Sequence, residues 1–255
     1  MKSEFIESFA GLNKRFVYVI LLDVLFYASL IVSFVVFSKL LVWSLGSLYD
    51  IPGRLAAMAD MTNVDQLGST ALSAGKMLSA FKMKIFFSLI VFWFFIVLSF
   101  TLFKAAAWSF VSKKNITRRF CWYVFKFNLV WFGAFALLSL ILFFVSKPTV
   151  TGIALIVLFL LLLYFTPICY ALFNPKKNLK WLSKRVWRVT VEKIYLFIVP
   201  FLLALLILIC LSVVVSGILF RFLPQGFAFY SSLFVFLIWQ AWFKYYIFAV
   251  ARRVK

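Results

Sequence analysis

The chain has 255 residues and a formal net charge of +20, and 66% of it is hydrophobic. A soluble domain is nearer half apolar, and no water-soluble fold of this size could bury so much apolar surface. Histidine is absent, which excludes histidine zinc sites, histidine-ligated haem and every catalytic triad with a histidine base.

Six apolar runs are long enough for the roughly 30 Å hydrocarbon core, which takes about 20 helical residues. They are predicted at about 16–38, 84–108, 127–146, 150–173, 194–220 and 227–250. A β-barrel would alternate apolar and polar residues, and LIVLFLLLLYF (155–165) does not. The expectation is an all-α, polytopic six-helix bundle forming one integral membrane domain over 1–255.

The first run is too long for the core of a cleavable signal and lacks a small-x-small site, so it is expected to stay as an anchor. It carries Asp23, about two turns beyond Arg15, and Lys39 near its far end. An acidic group at that depth needs a partner.

Residues 46–81 are predicted to form the one sizeable loop. Turn residues Asp50, Pro52 and Gly53 precede an a/d series: Val64, Leu67, Ala71, Ala74, Leu78 and Phe81. The expected outcome is an outer helix capping the bundle. A lid over a cavity or an oligomer contact is the alternative, with Gly68 and Gly75 permitting close approach.

The second run carries Lys104 and ends in a basic segment with Lys113, Lys114, Arg118, Arg119 and Lys126. Asn115-Ile-Thr117 matches a glycosylation sequon, but lies on the side assigned to the cytoplasm and is set aside. Asn128 opens the third run, and Pro167 and Pro200 interrupt the fourth and fifth. Such prolines could break spans as they do in transporters.

Between the fourth and fifth runs stands KKNLKWLSKRVWRVTVEK (176–193). Leu179, Leu182, Val186 and Val189 share one helical face, with basic residues over much of the remainder. A helix tethered at both ends to spans is expected in the headgroup layer, where each basic residue gains about 1 kcal/mol from anionic lipid. Its lipid-headgroup residues would be Lys177, Lys180, Trp181, Lys184, Arg185 and Arg188, with Arg118 and Arg119 from the earlier segment. Nucleic-acid binding is not expected, because no domain stands behind the helix. The last run carries Gln240 and Lys244 and ends in Arg252 and Arg253.

Alternate loops and both tails hold eighteen lysines and arginines; the opposite side holds six: Arg54, Lys76, Lys82, Lys84, Lys147 and Arg221. Positive residues favour the cytoplasmic face, so both termini are predicted there, with the protein in the cell membrane.

The even runs end alike, in FKAAAWSFVSKKN (103–115), FTPICYALFNPKKN (165–178) and FKYYIFAVARR (243–253). The odd runs begin alike, in NKRFVYVILL (13–22), TRRFCWYVFK (117–126) and SKRVWRVTVE (183–192). The pattern suggests three tandem helical hairpins, at about 13–115, 117–178 and 183–255, each entered through a basic amphipathic segment. On span count, length and these basic-aromatic boundaries, the chain resembles the six-span bacterial and archaeal membrane families grouped with the membrane domain of glycerophosphoryl diester phosphodiesterases. The resemblance implies a membrane module without the catalytic domain, and no functional residue is carried over.

Cys121, Cys169 and Cys210 are scattered and read as small apolar residues rather than a metal site. With no phosphate loop, paired carboxylates or metal ligands, neither enzymatic activity nor a cofactor is expected. Single lysines at these depths can reach the interface, but Asp23 calls for a pair with Lys104 or Lys244. Two functions remain. The favoured one is a lipid-interacting module that assembles with a membrane-protein partner or with copies of itself. The other is a transporter, channel or insertase with a cytoplasm-facing polar cavity lined by Asp23, Lys104, Asn128, Gln240 and Lys244.

Overall fold

A computed structural model of the chain describes residues 2–10, 14–46, 64–113, 115–145, 148–174, 177, 179–222 and 225–253. The described residues are almost entirely helical: α1 (Lys2–Ala10), α2 (Lys14–Leu45), α3 (Val64–Ser99), a π-helical turn (Phe100–Lys104), α4 (Ala105–Ser112), α5 (Arg118–Val145) and α6 (Pro148–Leu172). Then follow α7 (Leu179–Trp187), a second π turn (Arg188–Glu192), α8 (Ile194–Phe222) and α9 (Gln225–Arg253).

Six stretches are long and apolar enough to cross a membrane: Lys14–Leu45, Thr70–Ser112, Arg118–Leu142, Val150–Leu172, Ile194–Val215 and Tyr230–Arg253. The chain is a multi-pass integral membrane protein. All six coincide with the predicted runs, but the second begins well before residue 84. The a/d series from Val64 is helical as expected, yet it is the opening of α3, which runs on into the second span. The separate capping helix is therefore corrected, because no break falls between the series and the span. Gly75 faces open space rather than another backbone. Residues 47–63, with Asp50, Pro52 and Gly53, lie outside the described residues.

The chain divides into two compact units, Tyr27–Ser99 and Met1–Phe26 with Phe100–Lys255. In the smaller unit, Phe37 stacks on Phe92 at 4.5 Å between centroids, and the Lys84 ammonium sits 4.4 Å from the Trp43 ring centroid. Ser33 and Ser44 on α2, and Ser88 and Ser99 on α3, are buried. Their hydroxyls each donate to a carbonyl one turn back, which lets a polar residue sit in an apolar contact without an orphaned group.

In the larger unit α9 is the centre. Half of its apolar window is buried, against 11–22% in the other spans. Its Ala241–Ala251 stretch packs with Val19 of α2, Ala105–Val111 of α4, Phe120–Phe127 of α5, Ile168–Phe173 of α6 and Leu182–Val189 of the α7 segment. Each contribution lies near the basic boundary of its span, while the lipid-side residues of α6 and α8, such as Ile156, Leu160, Ile209 and Val213, are exposed. Pro167 and Pro200 lie inside α6 and α8, and neither helix is broken there. The expectation that these prolines divide the spans is corrected; each removes a backbone donor without ending its helix.

The nine residues of α1 read as a tail in the sequence, but they dock on α9. Glu4 is buried and accepts from Arg253 at 2.7 Å, and Trp242 donates its indole N–H to the Ser8 hydroxyl at 2.9 Å. Phe5 meets Trp242 and Tyr246 edge-on. Low numbers pair with high ones, so α1 runs antiparallel to α9.

Candidate functional site

Asp23 is fully buried (0% exposed), one turn after buried Val19 and one turn before buried Phe26. Its carboxylate is shared between two lysines rather than paired with one. Lys104 donates to Oδ1 at 2.8 Å and Lys244 donates to Oδ2. Lys104 also donates to Gln240 Oε1 at 3.1 Å, and its ammonium lies 4.3 Å from the Phe26 ring centroid. Gln240 stands one turn before Lys244, so α9 supplies both a cation and the acceptor for the other cation.

The two lysines follow Phe103 and Phe243, the repeated Phe-Lys pairs of the sequence. One carboxylate serves both. Lys104 closes the first π turn, where Thr101 and Lys104 are both buried. A π turn carries an extra residue and is a common feature of functional or specialised helix positions. Inside a low-dielectric core such bonds are strong, and breaking one side is costly.

Asn128 does not join this cluster. It is fully buried (0% exposed), donates to Thr101 Oγ1 at 3.0 Å and accepts from the Tyr170 hydroxyl at 2.6 Å. Tyr170 stacks on Trp108, with 6.1 Å between centroids and 7° between planes. The five residues Asp23, Lys104, Asn128, Gln240 and Lys244 thus fall into two adjoining hydrogen-bonded networks, one ionic and one neutral. Thr166, which stands at the lysine position in the middle hairpin, accepts from Trp131 Nε1 at 3.1 Å. Thr101 and Tyr170 as partners of Asn128 were not read from the sequence. Thr101 carries the only trace, a polar residue one turn before Lys104 in an apolar run.

The basic residues assigned to lipid headgroups fall on two exposed faces. Thr117 caps α5, its hydroxyl accepting from the Phe120 N–H at 3.1 Å, so Arg118 and Arg119 occupy the exposed first turn. On α7, Leu182 and Val186 are buried, as is Val189 in the following π turn. Lys177, Lys180, Lys184 and Arg188 are exposed, and half-buried Arg185 lies 5.0 Å over the Trp181 ring. The apolar face of this amphipathic segment is covered by protein, and its basic face is outward.

Among the described residues no three cysteine, aspartate or glutamate side chains cluster as metal ligands would. No known protein family matches the chain, and no curated protein or solved structure is significantly similar to it.

Proposed function

We propose that the protein is a non-catalytic membrane module that presents basic surfaces to anionic lipid and assembles with a membrane-protein partner or with copies of itself. The observation that carries this reading is the division of its charges. Asp23, Lys104 and Lys244, charged groups within the spans, are paired with one another, whereas Arg118 and Arg119 at the start of α5 and Lys180, Lys184 and Arg188 in the α7 segment are exposed on top of an apolar core. The excess of lysine and arginine at these boundaries favours the cytoplasmic leaflet of the cell membrane for both termini. Three tandem hairpins and kinship with the membrane domains grouped with glycerophosphoryl diester phosphodiesterases belong to the same proposal, and a module of that kind needs no catalytic residues. A transport path would need polar groups open to water, and the prolines would serve it by breaking helices; Asp23, Lys104, Lys244 and Asn128 are instead buried.

The test is lipid retention in mild detergent. The protein should retain phosphatidylglycerol over phosphatidylcholine, and replacing Lys180, Lys184, Arg185 and Arg188 by Gln should remove most of that preference. Added salt should weaken it too. Equal retention of both lipids by the unaltered chain would sink the reading. On a background without Cys121, Cys169 and Cys210, an impermeant outside thiol reagent should label Asp60→Cys and not Ser183→Cys.

A further inference from the structure

We infer that a groove between α1, α8 and α9 holds one acyl chain of an anionic phospholipid, whose headgroup rests on Lys14 and Arg15. The inference rests on the lipid-binding reading above but assigns a site that the basic face of α7 does not supply. The groove has a volume of about 500 Å³, within the roughly 300–1,000 Å³ of small-molecule sites. It is lined by Phe9 of α1, Phe16 of α2, Leu211 of α8, and Ile238 and Trp242 of α9.

Two features select an acyl chain. The first is the lining, which offers a ligand no polar group: the indole N–H of Trp242 is spent on Ser8 at 2.9 Å, and that of neighbouring Trp239 on the Ala204 carbonyl at 2.9 Å. The second is location. Leu211 and Ile238 lie within spans, so the groove faces hydrocarbon rather than water. The docking of α1 creates it, since a helix that enters antiparallel to α9 puts Phe9 beside Trp242, at 5.7 Å between ring centroids.

Charge next to the groove in the chain selects the headgroup. Phe16 lines the groove and touches the Tyr245 ring at 6.0 Å. Lys14 and Arg15, directly before it on the first turn of α2, are exposed. Two exposed cations within two residues of a groove-lining ring, on side chains long enough to reach past their own helix face, complement an anionic phosphate linked to a chain.

The experiment uses the full chain in phosphatidylcholine bilayers doped with phosphatidylglycerol carrying a diazirine in its acyl chain. Peptide mapping then compares labelling of 207–211 and 235–242 with that of 153–163, an exposed face of α6 outside the groove. Labelling of the groove should exceed the α6 face several-fold and fall when unlabelled phosphatidylglycerol is added, more than with added phosphatidylcholine. Lys14→Gln with Arg15→Gln should abolish that headgroup preference, and Leu211→Trp should lower groove labelling while the α6 face stays constant as the internal control for folding. Equal labelling of both faces, equal competition by the two lipids, or dimer cross-links in place of lipid adducts would each overturn the inference. Uniform labelling together with a retained effect of the α7 substitutions would remove this site and leave the broader reading standing.

Discussion

Two buried polar networks meet at one turn of helix and hold the bundle in different ways. Lys104 ties the π turn to α2 and α9 through Asp23 and Gln240, while Thr101 of the same turn ties it to α5 and α6 through Asn128 and Tyr170. The first network is ionic and the second is neutral. Apolar burial between spans gains no hydrophobic free energy, because lipid tails are as apolar as the side chains they replace, so close packing and polar contacts together decide which helices meet. A neutral network that loses a member leaves an unsatisfied dipole; an ionic one leaves an unmatched charge, which costs more.

The largest expected effect is at Asp23. Asp23→Ala strands two lysines in the core, and should cost about 3–5 kcal/mol, the range for breaking a buried ion pair. Thermal or denaturant unfolding in detergent measures it. Adding Lys104→Met to Asp23→Ala should cost little further, because the charge left behind is partly removed. Fully additive losses would show that the two residues act independently.

Lys104→Met should come next, at about 2–4 kcal/mol, since it leaves the Gln240 carbonyl without this donor as well as thinning the partners of Asp23. Lys104→Arg keeps the charge but not the compact ammonium that meets Asp23, Gln240 and Phe26 together, and should recover only part of the loss. Full recovery would show that charge alone, without this geometry, holds the π turn.

The neutral network should be cheaper to break. Asn128→Ala removes two hydrogen bonds and leaves the Thr101 and Tyr170 hydroxyls in the core, at about 1–3 kcal/mol. Tyr170→Phe on the Asn128→Ala background should then be close to neutral, since its hydroxyl has already lost its acceptor. A loss as large as that of Asp23→Ala would erase the contrast between the networks.

The sequence made the spans and the ionic network legible for one reason: charge inside a long apolar run is rare enough to be conspicuous. Asp23, Lys104 and Lys244 stand out because lipid tolerates few such residues. Other features left no comparable mark. The docking of α1 depends on Trp242 and Arg253, more than two hundred residues away, and KSEFIESFA has the polarity of an ordinary tail. The π turns carry no composition that distinguishes FTLFK or RVTVE from α-helix. Asn128 was visible as an isolated amide, but its partners Thr101 and Tyr170 are residue types that occur widely near membrane boundaries. For α7 the amphipathic pattern gave the faces, though not that protein covers the apolar one; period alone cannot tell a lipid-facing stripe from a protein-facing one.

The smallest effect should be at Lys244, although it bonds to the same carboxylate as Lys104. Two lysines share one aspartate, so removing one of them still leaves Asp23 matched. The two cations also differ in their other partners. Lys104 has Gln240 and the Phe26 ring besides Asp23, whereas the bond to Asp23 is the one described for Lys244. Lys244→Met strands no acceptor of its own, and its unbranched side chain fills much of the same space. The expected loss is below about 1 kcal/mol, and a well-packed apolar replacement of a buried charge can even stabilise. Parallel unfolding of Lys104→Met and Lys244→Met in one detergent ranks the pair directly. A loss at Lys244 equal to that at Asp23 would mean that both cations are required on one carboxylate. That result would point to a cluster built to exchange a cation or proton, and would move the transport reading ahead of the structural one.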